Sequence, residues 1–248
     1  TLRIEKSNIN ELATLIHTKT GGNPFFTNEF LKSLYSDEYI TFDPEYDSKN
    51  GYNPWKWDLE KIKSLNISDN VVELMTAKIQ KLSAQVQYFL RIASCFGNRF
   101  SLEGLALIAQ EEKNDILKKI FEAIQTGLIL PSNENYKFLE LDIKYEGVAE
   151  FKFVHDRIQQ AAYALIPLEE KSKIHWEIGN DLLKNATEES LEVNLFDVVN
   201  HINLGIEHSP REDKIQFANL NLRACSKAKS SAAYETAIGY AKIALDLL

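Results

Sequence analysis

Cysteine is almost missing from this chain: Cys95 and Cys225 are the only two in 248 residues. So low a count excludes a disulfide-stapled scaffold. The pair lies far apart in sequence, each member inside a helix-like apolar pattern, and reads as reduced core residues of a cytoplasmic protein rather than a metal pair. Long hydrophobic runs are missing too. No stretch approaches the roughly 18 apolar residues needed to span a bilayer. The start, Thr1-Leu2-Arg3-Ile4-Glu5-Lys6, lacks the apolar segment of a signal peptide. Basic charge is in deficit, with 28 Lys and Arg against 36 Asp and Glu, a formal charge of −8. Affinity for nucleic acids and anionic membranes depends on basic side chains facing phosphates. Dedicated binders of either kind are therefore not expected. What remains, 44% hydrophobic and 26% charged residues, suffices for one large domain or several small ones with real cores. Thr1 is no initiator, and Ala244-Leu245-Asp246-Leu247-Leu248 stops inside an apolar helical pattern, so a piece of a longer chain is expected.

Catalytic signatures are also missing. No Gly-x-x-x-x-Gly-Lys-[Ser/Thr] loop is present to cradle a triphosphate, and no apolar strand ends in a paired carboxylate for magnesium. His-Glu-x-x-His, Cys-x-x-Cys and Gly-x-Ser-x-Gly do not occur. His201 and His208 are seven apart and lack a third ligand; with His17 and His175 they are expected at the surface or as caps. No catalytic residue and no metal site is expected within the chain.

The patterns that are present read as mostly α. Ile9, Leu12, Ala13, Leu15 and Ile16 mark a helix to about residue 20, broken by Gly21-Gly22-Asn23-Pro24, with a second helix from Pro24 to about Tyr35. Tyr, Pro, Asp and Trp then dominate, and Trp55-Lys56-Trp57-Asp58 reads as a structural anchor. Ser68 or Asp69 can cap the next helix, which carries Val72, Met75, Ile79 and Leu82. Further helices begin near Ser83, at Ser101, and at Asn114 or Asp115. In the last of these Leu117, Ile120, Phe121 and Ile124 share a face, and Gly127 ends it. The period then shortens to that of strands: Leu128 to Leu130, an alternating Leu139, Leu141, Ile143 and Tyr145, and Glu150 to Val154. A helix follows, for which Asp156 is the cap and Gln159 closes the box. Three helices, a β-wing and a closing helix give the order of a winged helix. From Pro167 onward all is helical: Ile174, Ile178 and Leu182 line one helix, and Leu195, Val198, Val199 and Ile202 the next. A final hairpin over about 211–228 and 231–248 fits either a tetratricopeptide-type repeat or a plain helical bundle. The expected organisation is a helical lid segment over 1–67, a winged-helix domain over 68–166, and a helical bundle leading into tetratricopeptide-like repeats over 167–248.

Two motifs stand out: Gly21-Gly22-Asn23-Pro24-Phe25-Phe26, and the long stretch from Phe151 to Tyr163 containing Val154-His155-Asp156. With Glu29-Phe30-Leu31, Trp55-Lys56-Trp57-Asp58 and Gly127-Leu128-Ile129 between them, this order resembles the lid and winged-helix part of the STAND class of signal-transduction NTPases, relatives of the AAA+ ATPases. It is most similar to the ATPase segment of large bacterial multi-domain sensor kinases. The resemblance implies that the turn Gly22-Asn23-Pro24 packs against the adenine of bound ATP or ADP. It also implies that His155 contacts the ADP β-phosphate, with Val154 where the class often has Met. Magnesium and the phosphate loop would come from a neighbouring NTPase domain. Partners would be that domain, a kinase domain and other proteins held by the helical repeats. The function so implied is a non-catalytic regulatory segment of a nucleotide-dependent switch. Two alternatives stay open, a winged-helix DNA-binding regulator and a nucleotide-independent interaction scaffold. The helix Asn114 to Gln125 sets Lys118 and Lys119 against Asp115 and Glu122, no net charge with which to meet DNA.

Overall fold

The computed structural model describes residues 6–43, 54–64, 71–137 and 147–248. It is mostly helical with two small antiparallel sheets, and it divides within one helix into compact units of residues 1–78 and 79–248.

In the first unit the apolar stripe of α1 (Lys6–Thr20) meets that of α2 (Pro24–Ser36). Leu12 and Ile16 join Phe26, Phe30 and Leu34 in one core with Ile40 and Ile62. A ribbon of β1 (Ile40–Phe42) and β2 (Trp55–Trp57) pairs Ile40 with Trp57 and Phe42 with Trp55. The Trp55 ring lies 4.9 Å from Phe42 and 6.0 Å from Tyr35, which gives the tryptophan stretch its packing role. Helices α3 (Leu59–Ser64) and α4 (Val71–Gln80) follow; the expected caps Ser68 and Asp69 lie outside the described residues. Glu29 is 8% exposed. Burial alone raises a carboxyl pKa, but salt bridges of 2.7 Å to both Lys32 and Lys78 outweigh it and hold Glu29 below its ordinary value.

The second unit begins with α5 (Ala84–Cys95), β3 (Arg99–Ser101), α6 (Leu102–Ala109), α7 (Lys113–Gln125), β4 (Ile129–Pro131), β5 (Glu150–Phe153) and α8 (Asp156–Ala164). Ser101 caps α6 as expected, and Ser83 caps α5, their hydroxyls accepting from the N–H groups of Gly104 and Val86. The sheet order is β3-β5-β4, all antiparallel. Strand β3 is an addition to the sequence reading, which placed only the Ser101 cap there. The alternating Leu139 to Tyr145 segment lies outside the described residues. Phe100, Phe151 and Phe153 of this sheet are buried, with Phe100 5.9 Å and 5.6 Å from the other two rings.

Two helix assignments need correcting. Helix α7 starts at Lys113, and its N-cap Glu112 makes no side-chain capping bond, so Asn114 and Asp115 lie inside the first turn. Its buried face is Ile116, Leu117, Ile120 and Ala123, while Phe121 is 44% exposed. The stripe is turned by about one residue because Ile116 and Ala123, seven apart, fill the contact that Phe121 would overfill.

The hairpins α9 (Leu168–Lys184) with α10 (Glu188–Leu204), and α11 (Lys214–Ser230) with α12 (Tyr234–Asp246), complete the chain. Leu195, Val198, Val199 and Ile202 are all buried. On α9 Ile178 is buried, but Leu182 faces outward. The two hairpins are joined by Phe196 stacked on Tyr240 at 5.8 Å, by a hydrogen bond from Tyr240 to Asn200, and by Asn203 and Asn221 exchanging amide bonds of 2.9 Å. No described helix is long and apolar enough to cross a membrane.

Candidate functional site

The first motif is a turn whose backbone is set by glycine. Gly21 and Gly22 follow α1 with φ of 58° and 71°, a region that residues with a Cβ avoid. A Cβ on Gly22 would also lie 3.0 Å from Nε2 of His17, so the imidazole occupies the space the missing side chain leaves. Asn23 is the N-cap of α2, its Oδ1 accepting from Phe26 N–H at 3.1 Å, and Pro24 takes the first helical position. Thr20 and Thr27 share a 3.0 Å hydroxyl contact that ties the two helices below the turn. Gly22, Asn23 and Pro24 are all exposed. The exposed proline ring is an apolar surface beside backbone with no side chain, a form suited to a flat base; Asn23 is committed to its cap.

The second motif is a strand-to-helix junction. Strand β5 runs into His155, which has extended dihedrals and is itself the N-cap of α8, its Nδ1 accepting from Arg157 N–H at 3.1 Å. This corrects the expectation that Asp156 caps the helix. Asp156 is instead the first helical residue, where its negative charge suits the helix dipole. Gln159 closes no box: its amide donates to Ser94 O at 2.7 Å and ties α8 to α5. The use of Nδ1 has a chemical consequence. A ring nitrogen that accepts a hydrogen bond carries no proton, so in the capped state the proton of His155 is on Nε2. The imidazole is half-buried and lies at a helix N-terminus, where anions are favoured. Exposed Arg157 follows in the same turn, with one guanidinium N–H donating to Gln160 Oε1.

Gly22, Asn23 and Pro24 thus come together in one turn of the first unit, and His155 belongs to the second. No group of three or more His, Cys, Asp or Glu among the described residues could hold a metal. Lys113 pairs with Glu103 at 3.2 Å, Lys118 with Asp115 at 3.3 Å and Lys119 with Glu111, so each of the three lysines of α7 has a carboxylate partner.

His175 corrects another expectation. It is 4% exposed rather than superficial, bonded on one side to Tyr163 and on the other to His201. His17 and His208 are exposed, as expected. Cys95 and Cys225 are free thiols, and burial pushes Cys95 up to about 12.

No protein-family model matches the chain, and no solved structure matches it. A match does exist among curated proteins. The chain is 32% identical, over 276 aligned positions, to hybrid signal transduction histidine kinase G of Dictyostelium discoideum; the alignment takes in 96% of this chain and 8% of that protein. Nearly the whole chain is therefore similar to a small segment of a much longer signalling kinase.

Proposed function

We propose that the chain is a regulatory, non-catalytic segment of a nucleotide-dependent signalling switch within a sensor kinase, coupling ATP or ADP to helical repeats and output domains. One observation carries this reading: almost every residue aligns within a signal transduction histidine kinase. Several structural features support its finer parts. The order α5, β3, α6, α7, β4, β5, α8 supports a winged-helix reading, and the successive hairpins α9–α10 and α11–α12 support a tetratricopeptide-like one. In this reading Gly22, Asn23 and Pro24 form the adenine side, and His155 presents Nε2–H to the ADP phosphates. The phosphate loop and magnesium belong to a partner NTPase domain. In this reading nucleic acid is not a partner, since the three lysines on the helix that would enter DNA all pair with carboxylates.

A hydrogen bond from a neutral donor to phosphate contributes about 1.5–3 kcal/mol. That shifts an equilibrium between closed and open forms by about tenfold or more. The test uses His155→Asn in the full-length protein, because asparagine preserves the helix cap and deletes the second nitrogen. ADP is expected to dissociate about tenfold faster at unchanged melting temperature. Unaltered ADP release from a stably folded His155→Asn protein removes the latch.

A second reading, a nucleotide-independent scaffold, is favoured by the exposed Tyr234, Ile238 and Leu245 on α12, at 62%, 55% and 71%. Partner binding of equal strength with ATP, ADP or neither would select it.

A further inference from the structure

Three polar side chains from three successive helices meet, His175 buried and Tyr163 and His201 half-buried. Tyr163, near the end of α8, has its Oη 2.9 Å from Nε2 of His175 in α9, and Nδ1 of His175 is 2.9 Å from Nδ1 of His201 in α10. The rings follow one another at 5.7 Å and 4.9 Å between centroids. The charged and titratable neighbours are few. Lys171 Nζ stands 4.1 Å over the Tyr163 ring and faces His175, and the buried Cys95 thiol is near Tyr163. Burial first, then for His175 the neighbouring His201 and Lys171, hold both histidines down to about 4. Both rings are neutral at pH 7.

Neutrality makes the contacts interdependent. A neutral imidazole has one donor nitrogen and one acceptor. Between the facing Nδ1 atoms only one proton can lie. If His175 donates from Nδ1, its Nε2 must accept the Tyr163 O–H. If His175 accepts at Nδ1, its Nε2–H must donate to Tyr163. Each link therefore dictates the other, although Tyr163 and His201 share no hydrogen bond. Burial raises the Tyr163 pKa and keeps the phenol protonated, and a phenol with a cation over its ring is the better donor. The favoured direction is Tyr163 to His175 to His201. His201 then carries its proton on Nε2, an atom not among the buried groups lacking a partner, and water can accept from it.

We propose that Tyr163, His175 and His201 form a hydrogen-bond relay that couples the position of the helix beginning at His155 to the packing of the α9–α10 hairpin. Moving α8 by about 0.6 Å would stretch the first link beyond hydrogen-bonding range. A buried ring nitrogen would then lose its partner, a costly state, so the hairpin follows α8 or the relay reverses. Its use as a switch output rests on the reading of His155 as a phosphate reader; the relay itself does not.

The relay is tested on the isotope-labelled chain without nucleotide, by side-chain NMR at pH 7. The two rings should show opposite tautomers, His175 as Nδ1–H and His201 as Nε2–H. In His201→Leu the acceptor is gone, and His175 should change to Nε2–H and donate to Tyr163. His201→Asn, whose amide oxygen can accept from Nδ1, should restore Nδ1–H. Identical tautomers in the native chain, or a His175 tautomer indifferent to His201→Leu, would overturn the relay. A double-variant cycle of Tyr163→Phe with His201→Leu supplies a second readout. The product of the single effects on the unfolding constant should differ from the double effect by at least about threefold, whereas uncoupled sites agree within about twofold. Agreement within twofold overturns the coupling. Because no nucleotide is present, these results are independent of the ADP measurement on His155→Asn.

Discussion

Replacing Gly179 with alanine sets two opposing effects against each other at the α9–α10 contact. A glycine inside a helix costs about 1 kcal/mol relative to alanine, so on propensity alone Gly179→Ala should stabilise the protein. The structure argues otherwise. A Cβ at this position would stand 2.8 Å from the backbone nitrogen of Ile202 and 3.0 Å from Cβ of His201. Neither neighbour is the free end of a side chain that could swing away, so the helices must part by about half an ångström or more to reach ordinary contact distance. Overpacking of this kind costs about 1–3 kcal/mol. The same separation lengthens the His175–His201 contact of 2.9 Å, and losing that bond adds about 1 kcal/mol or more. Packing wins, with a net loss of about 1–3 kcal/mol after the propensity gain is subtracted. For a domain of this size that lowers the melting temperature by about 2–10 °C. Differential scanning calorimetry of the purified variant measures it. A melting temperature equal to or above that of the native chain would refute the close approach of α9 and α10.

Acid should weaken the protein through buried His175 and half-buried His201. Their folded-state pKa values of about 4 lie below the ordinary value of 6.5, so between these limits the unfolded chain binds more protons than the native one. Stability is complete above about pH 6.5, falls as pH drops towards 4, and one ring alone accounts for about 3 kcal/mol of it. Melting temperatures at pH 7 and 4.5 should therefore differ more for the native chain than for His175→Gln/His201→Leu, and equal differences would refute the assignment. Asn23→Ala should cost about 1 kcal/mol by removing the α2 cap, with hydrogen exchange accelerating in α1 and α2; unchanged exchange there would show the cap to be idle.

What the sequence reveals here follows the range of the interactions. Ser101 was readable as a cap because the bond it makes is to an N–H three residues away. The buried row from Leu195 to Ile202 was readable because helical period alone defines it. Three residues of β3 were not, since a strand so short owes its pairing to β5, about fifty positions further on. Asp156 was assigned the cap because carboxylates are favoured there and histidine is not. The structure gives that place to His155, as the extended backbone of β5 ends on that residue. His175 was misplaced for a related reason. Nothing local marks it as buried, and its partners lie 12 and 26 positions away on two other helices.

The cap made by His155 bears directly on what kind of phosphate reader it can be. A doubly protonated ring would be the stronger partner for phosphate, but it has no lone pair left to accept from Arg157 N–H, and α8 would lose the bond that starts it. A neutral ring serves both ends at once, Nδ1 to the helix and Nε2–H to the ligand. The cap is worth about 0.5–2 kcal/mol, comparable to the gain from adding charge to one hydrogen bond. Alanine at 155 deletes both functions and cannot separate them, whereas asparagine deletes only the outward nitrogen. In the proposed latch one side chain would hold both nucleotide and the start of α8, the helix that carries Tyr163 at its far end.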